Sequence, residues 1–276
     1  MVKTTAMTNV QKAIIIVLVL LFVFPHIVWA APTITAEAAI LIDCETGEIL
    51  YEKNSHQARP PASLTKVMTA LLAIELGELS DVVTVSENAA KTGESRLNLG
   101  VGEEIDLENL LYGALLKSGN DACVAIGEYI GGDEETFVSL MNLKAKLLGC
   151  EVTNFMNTNG LPNDQHLSSA YDLSLIARAA LQNPTFRTIV QTQYKQIQWK
   201  SGRKATIKNT NRMLASYPGT IGVKTGTTNA AGQCLIAAAQ RNDQTLIAVV
   251  LKSQNRFLDC TNLLNYGFEQ YIKKAS

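Results

Sequence analysis

The chain has 276 residues, 47% of them hydrophobic and 18% charged, with a formal net charge of −1. That composition suits one moderate-size globular domain with an ample core, and it excludes a disordered chain. The near-neutral balance leaves no electrostatic footprint for nucleic acid.

Lys3 and Lys12 precede an apolar run at 13–24, which Pro25 and His26 interrupt, and Val28-Trp29-Ala30 has the ending of a signal-peptidase site. Residues 1–30 are therefore expected to be an export leader. The run is short for a bilayer span, which favours cleavage after Ala30 over a retained anchor. Residues 31–276 are expected to form a single domain, with no repeat or linker to divide it.

Past the leader, 37–43 and 48–52 read as two strands joined across Cys44-Glu45-Thr46-Gly47. A helix is predicted to open at Ser63, carried by Leu64, Val67, Met68, Leu71, Leu72, Ile74 and Leu76, with Gly77 ending it in a left-handed conformation. Its apolar residues run nearly all the way round, so it belongs at the domain centre. Asp106 is predicted to cap a helix with Leu107, Leu110, Leu111, Ala114 and Leu115 on one stripe. That helix stops at Ser118-Gly119-Asn120 before a second one at 121–130, a tip that displays Ser118 and Asn120. Helices follow at 133–148 and 170–182, the latter opened by a Ser169-x-x-Asp172 capping box and closed before Pro184. Strand signals return at 194–199, then a Ser201-Gly202 turn, and at 204–210, 220–224, 233–239 and 245–252, before a last helix at 258–272. Strands at both ends with helices between predict an α/β (α+β) domain, with one sheet built from both chain ends and a mostly helical middle.

Ser63-Leu64-Thr65-Lys66 places a hydroxyl and an amine one helical turn apart at the buried end of that apolar helix. Burial disfavours the charged form of Lys66 and brings its pKa toward that of a working base. The helix start favours negative charge at Ser63. This suits covalent catalysis by an activated serine. The pattern alone is weak, because Ser201-Gly202-Arg203-Lys204 also satisfies it, but that match reads as a hairpin tip. The five cysteines, Cys44, Cys123, Cys150, Cys234 and Cys260, are odd in number and contain no Cys-x-x-Cys. They read as mostly buried thiols, with one disulfide left open and neither a metal site nor a cofactor expected. His56 and His166 are expected in exposed loops.

Three elements stand in order: Ser63-x-x-Lys66, Ser118-Gly119-Asn120 and Lys224-Thr225-Gly226. Together with IGVKTGTTNAAGQCLIAAA from Ile221 and SGNDACVAI from Ser118, they resemble the penicillin-recognising low-molecular-mass D-alanyl-D-alanine carboxypeptidases, over nearly the whole chain past the leader. Order selects among further matches such as Lys91-Thr92-Gly93, Ser86-Glu87-Asn88 and Ser253-Gln254-Asn255. In particular Lys224 ends a strand-like segment and leads into a Gly-rich turn, whereas Lys91 follows no strand.

The resemblance implies the DD-peptidase and β-lactamase-like fold, with its antiparallel sheet, and assigns roles to residues. Ser63 would attack the peptide carbonyl and Lys66, with Lys224 as a second nearby cation, would take the hydroxyl proton. Ser118 would pass a proton to the departing amine, and Asn120 would hold the substrate backbone and help fix Lys66. The backbone N–H groups of Ser63 and Thr227 would form the oxyanion hole. Lys224, Thr225, Gly226 and Arg256 would receive the substrate's terminal carboxylate. Its partners would be peptidoglycan stem peptides and, as covalent inhibitors, β-lactams, with no obligate protein partner.

The Glu-x-x-Leu-Asn signature of class A β-lactamases is absent between Ser118 and Lys224, although Glu128, Glu134, Glu135 and Glu151 are available. That favours a slow, penicillin-inhibited peptidase. A D,D-endopeptidase and a catalytically silent peptidoglycan-binding protein are the rival readings. The chain ends at Lys273-Lys274-Ala275-Ser276, so neither the β-rich domain nor the amphipathic anchor of many such relatives is expected, and the protein would be secreted or held by wall contacts.

Overall fold

The computed structural model describes residues 31–274; the leader expected at 1–30 lies outside them. Chain order runs β1 (Ala38–Asp43), β2 (Ile49–Lys53), a single 3-10 turn (Ala62–Thr65), α1 (Lys66–Leu76), β3 (Val82–Thr84), α2 (Glu87–Lys91), β4 (Glu104–Asp106), α3 (Leu107–Leu116), α4 (Asn120–Gly131), α5 (Glu134–Leu147) and α6 (Ala170–Leu181). It continues through α7 (Pro184–Gln191), β5 (Tyr194–Gln198), β6 (Lys204–Lys208), α8 (Met213–Ser216), β7 (Thr220–Thr228), β8 (Gly232–Arg241), β9 (Gln244–Ser253) and α9 (Arg256–Lys274).

Every residue of β1 is buried, and the period of two divides them between two cores. Ala38, Ile40 and Ile42 belong to the core on the face that α6 covers, with Leu173, Ile176 and Ala177, while Ala39 and Leu41 belong to the core with Cys260, Leu263, Leu264 and Phe268 of α9. The sheet is thus covered on both faces, which is why its strands read as continuous apolar runs. Its order is β2-β1-β9-β8-β7, antiparallel throughout. The first and last strands lie side by side, with Leu41 opposite Ala248. The Asp259 carboxylate of α9 fastens the chain ahead of β1, accepting from the backbone N–H groups of Thr35 and Ala36, both at 2.9 Å, and from the Ser253 hydroxyl at 2.6 Å.

Several local expectations are corrected. Gly77 is extended, with φ −118° and ψ 161°, rather than left-handed. Packing requires glycine there instead, because a Cβ would lie 2.7 Å from both Ile130 Cδ1 and Leu107 Cδ2. Asp106 stands at the start of α3 without capping it, since its carboxylate pairs with Lys200 Nζ at 2.5 Å. Only half of the capping box forms on α6. Ser169 Oγ accepts from the Asp172 N–H at 3.0 Å, but the Asp172 carboxylate accepts from the N–H groups of Glu151 at 3.0 Å and Val152 at 2.9 Å. Pro184 does not simply close a helix: it occupies the first turn of α7, with Asn183 Oδ1 accepting from the Thr185 and Phe186 N–H groups.

Lys224 does not end its strand. Strand β7 continues through Thr228, pairing Lys224 with Ile236 and Gly226 with Cys234. The expected hairpin of β5 and β6 forms, so Ser201-Gly202 sits on its turn and Lys204 opens β6 opposite Gln198.

Candidate active site

The chain does not enter α1 directly at Ser63. Ser63 lies in the 3-10 turn and Lys66 begins the helix, a change of half a turn that still brings Lys66 Nζ within 2.8 Å of Ser63 Oγ. Lys66 is completely buried, and its Nζ also donates to Asn120 Oδ1 at 2.7 Å and to the backbone carbonyl of Asn159 at 2.6 Å. Burial pushes its pKa down to about 8. A neutral amine has two N–H bonds and one lone pair. The two carbonyl oxygens take the bonds, leaving the lone pair for the Ser63 hydroxyl.

Asn159 was not singled out in the sequence. Asn157-Thr158-Asn159-Gly160 does carry an Asn-Gly turn signal, but a backbone carbonyl serving a lysine has no residue signature. The Glu134 carboxylate holds this turn through the Thr158 hydroxyl at 2.8 Å and N–H at 3.1 Å, and Thr69 Oγ1 donates to the Thr158 carbonyl at 2.5 Å.

The second wall comes from the connection between α3 and α4. Ser118 adopts φ +66°, uncommon for a residue with a side chain and frequent at functional positions. Asn120, the first residue of α4, donates through Nδ2 to the Gly93 carbonyl at 3.0 Å and through its N–H to the Ser95 carbonyl at 2.8 Å. The segment bearing Lys91-Thr92-Gly93 therefore supports Asn120, while Lys91 itself points to Glu87 on the surface.

The third wall is β7, which passes so close to the 3-10 turn that a Cβ on Gly226 would lie 3.1 Å from Ser63 N. Lys224 is buried and donates to the Thr225 carbonyl at 2.8 Å. Burial first, and then the neighbouring Lys66 charge, push its pKa well down. Thr225 Oγ1 lies 2.7 Å from Thr210 Oγ1, and Arg256 Nη1 donates to the Gly226 carbonyl at 2.8 Å and to Thr227 Oγ1 at 2.7 Å. Ser63, Lys66, Asn120, Lys224, Thr225, Gly226, Thr227 and Arg256 are thus joined by short contacts, with Ser118 on the loop that delivers Asn120. The Arg256 guanidinium beside Gly226 and Thr227, with the Lys224 amine close by, makes one end of this site suited to an anion.

Three of the four glutamates Glu128, Glu134, Glu135 and Glu151 are engaged in other contacts, and the fourth is exposed. Glu128 bonds Ser86 and Asn88, Glu151 pairs with His56 at 2.9 Å, Glu134 holds Thr158, and Glu135 is exposed on α5. Cys123 is buried on α4, where burial pushes its thiol up to about 12, so it stays neutral beside the two lysines. All five cysteines are free, and among the described residues no group of acidic, His and Cys side chains could hold a metal.

His56 is exposed as expected, but His166 is buried, at 2% exposure. Its Nδ1 accepts from the Met156 N–H at 3.0 Å, which leaves Nε2–H to donate to Thr65 Oγ1 at 2.8 Å; Thr65 in turn donates to the Ala62 carbonyl at 2.9 Å. The imidazole therefore pins the turn that carries Ser63 to the segment that carries Asn159. Burial, reinforced by the Lys66 charge, pushes its pKa down to about 4. An unfolded histidine takes up its proton near pH 6.5. The folded state binds fewer protons between those values, so stability is full above about pH 6.5 and falls as pH drops toward 4. About 3 kcal/mol of the acid-side loss is expected to come from this one group. Urea unfolding from pH 7 to 4 checks it: the His166→Gln variant should show a shallower pH slope, and an unchanged slope would refute the assignment.

The family model for D-alanyl-D-alanine carboxypeptidases, peptidase S11, matches residues 26–255. The D-alanyl-D-alanine carboxypeptidase DacF of Bacillus subtilis is 41% identical over 244 residues, covering 86% of this chain and 63% of its own length. The carboxypeptidase of Streptomyces sp. K15 is 36% identical, covering 86% of this chain and 88% of its own. The crystal structure of the Streptomyces K15 DD-transpeptidase superposes with a TM-score of 0.83 at 35% identity, covering 87% of this chain and 100% of that one. An evolved putative penicillin-binding protein homolog from Mycobacterium tuberculosis also superposes with a TM-score of 0.83, at 30% identity, covering 87% of this chain and 94% of that one. The chain spans under two thirds of the length of DacF of Bacillus subtilis and DacC of Escherichia coli, at 63% and 62%. The match extends through all three walls of the site and most of the sheet, and the chain belongs to the D-alanyl-D-alanine carboxypeptidase family of serine peptidases.

Proposed function

We propose that this protein is a serine-type D-alanyl-D-alanine carboxypeptidase that removes the terminal D-alanine of peptidoglycan pentapeptides. The observation that carries this reading is Lys66 Nζ, buried and held by two carbonyl oxygens 2.8 Å from Ser63 Oγ, next to an end of the site lined by Lys224, Thr225 and Arg256. Ser63 Oγ forms a bond to the penultimate carbonyl carbon as Lys66 takes its proton. The backbone N–H groups of Ser63 and Thr227 receive the developing oxyanion. The amide C–N bond breaks, Ser118 relays a proton to the departing amine, and water then hydrolyses the ester.

The terminal carboxylate suits the cluster of Lys224, Thr225, Gly226 and Arg256 because the Arg256 guanidinium stands there beside hydroxyl and amine donors, and the carboxylate's charge would favour protonated Lys224. A β-lactam presents the same carboxylate beside a strained amide and would acylate Ser63. Glu128, Glu134 and Glu151 are each taken up by other hydrogen bonds and Glu135 is exposed, which supports a long-lived adduct over turnover in the manner of a class A β-lactamase. The leader expected at 1–30 from the sequence is consistent with action outside the cytoplasm, on the wall. Among the described residues no helix is long and apolar enough to cross a membrane.

Intact-mass analysis with and without penicillin, beside an assay for released D-alanine, tests this reading. Wild type should give one adduct and D-alanine, and Ser63→Ala should give neither. Wild type giving neither would overturn it.

A further inference from the structure

Residues 173–242 carry ten Lys or Arg and no Asp or Glu, in a chain whose formal net charge is −1. Most of these cations are engaged within the fold. Arg178 donates to the Cys44 carbonyl, Arg187 to Gln240 Oε1, and Arg241 covers the Tyr217 and Phe268 rings. Lys195, Lys200 and Arg203 pair with Glu108, Asp106 and Glu103, and Lys224 lies in the site. Lys204, Lys208 and Arg212 remain, and among the described residues none of the three pairs with a carboxylate. Lys208 meets the Tyr194 ring at 5.4 Å, and Arg212 meets the Phe257 ring at 5.9 Å.

The β5–β6 hairpin separates the paired cations from the unpaired ones. Its inner face buries Ile197 and Ile207, and its three ion pairs fix it to the segment 103–108. Its outer face sets Tyr194, Gln196 and Gln198 opposite Lys208, Thr206 and Lys204, and all six are exposed. Lys204 and Lys208 stand about 13 Å apart, four residues of strand at about 3.3 Å each. Arg212 extends the row beyond Lys208, where both border one depression with Tyr194. Between the two lysines lie amide and hydroxyl groups that can donate hydrogen bonds. Lysines on a sheet edge also guard against strand pairing, but that role does not account for the absence of any acid from so long a stretch. Cations without counter-charges hold a positive potential over the face, which an anionic ligand would offset. A lipid surface calls for apolar side chains that enter the acyl boundary, and this face has only the Tyr194 ring. Lysine ammonium groups act as point charges on phosphate, whereas carboxylates favour the two-pronged arginine fork.

We propose that the outer face of the β5–β6 hairpin docks a linear phosphodiester polymer, holding the enzyme on an anionic wall through a surface separate from the Ser63 site. The wall setting rests on the function proposed above; the binding itself does not. Phosphates would lie along Lys204, Lys208 and Arg212, with Gln196, Gln198 and Thr206 donating to the remaining oxygens.

The test measures binding of wild type, Lys204→Gln/Lys208→Gln and Lys204→Glu/Lys208→Glu to purified poly(glycerol phosphate), with dextran, polyglutamate and phosphatidylglycerol vesicles beside it. Wild type should bind the phosphate polymer and not dextran, and its log affinity should fall with log salt at a slope of about −2, for three cations at about 0.7 each. The neutral variant should bind about tenfold more weakly with a slope about one unit shallower, and the charge-reversed variant should not bind. Thermal unfolding close to that of wild type shows that both variants fold, as expected for exposed lysines without partners. Equal binding by wild type and the charge-reversed variant, or no binding by wild type, overturns the proposal and leaves the lysines as guards of the sheet edge. Equal or tighter binding to polyglutamate overturns the choice of phosphate, and equal or tighter binding to the vesicles makes the face a membrane dock instead. Failure of the carboxypeptidase reading looks different: wild type would release no D-alanine and form no penicillin adduct, whatever it binds.

Discussion

Replacing Lys66 with methionine is expected to slow acylation of Ser63 by penicillin about 10³-fold, within the range for loss of a positioned general base. Methionine nearly preserves the volume of the buried stem, so packing around α1 changes little. It removes the one group that, among the described residues, is hydrogen-bonded to Ser63 Oγ and can take its proton, and it leaves the carbonyl oxygens of Asn120 and Asn159 without the Lys66 donor. That second effect should lower stability by about 1–3 kcal/mol, measurable by urea unfolding and separable from the rate. The pH dependence of the wild type supplies the sign. Lys66 must be neutral to act, and burial places its pKa at about 8, so acylation should rise about tenfold per pH unit below that value and level off above it. Rapid mixing with a chromogenic β-lactam between pH 6 and 9 checks this, and a flat profile would show that Lys66 is not the base.

The second large effect is expected at a glycine far from the motif residues in sequence but pressed against them in space. Gly160 adopts φ +86°, and a Cβ there would lie 1.9 Å from the Ala62 carbonyl oxygen. Alanine at this position would combine left-handed strain of about 1 kcal/mol with an overpacking cost of about 1–3 kcal/mol, for a total near 2–4 kcal/mol. The displaced groups belong to both sides of the site, since Ala62 precedes Ser63 and accepts from Thr65, and Asn159 holds Lys66. Shifting reacting groups by about 1 Å can slow a reaction about 100-fold, and acylation should fall by that order. Gly202→Ala is the control. Gly202 also has a positive φ, +88°, but nothing lies within 4 Å of its Cβ position, so it should destabilise by about 1 kcal/mol with acylation unchanged. Equal acylation losses in both variants would refute the proximity argument.

His166 and Gly160 belong to the same device. The segment from Asn157 to His166 is pressed against the nucleophile turn at one end by Gly160 and hydrogen-bonded to it at the other through Thr65. Acid should therefore loosen the site as well as the fold, since a protonated His166 would face the Met156 N–H with a second N–H.

The readability of this chain divides along a physical line. Short-range regularities were legible: the continuous apolar runs of β1, β8 and β9, the apolar α1 with Lys66 inside it, and the Ser201-Gly202 hairpin. Each depends on residues within a few positions of one another, and burial on both sheet faces is written into the apolar runs themselves. Terminal details were less so, because Asp106, Asp172 and Pro184 each carry a local signal that a distant partner can redirect. Lys200 draws Asp106 away from its helix, and the N–H groups of Glu151 and Val152 draw Asp172.

By itself the sequence singled out the side chains proposed for the chemistry, Ser63, Lys66, Ser118, Asn120 and Lys224, and determined that Lys66 would be buried. Only the tertiary structure decided what surrounds them. It supplied the Asn159 carbonyl that completes the lysine's shell, buried His166 behind the nucleophile turn, and left Lys208 and Arg212 without carboxylates beside the site. Those features depend on backbone groups and on charges far apart in the chain, whose meeting no local pattern encodes.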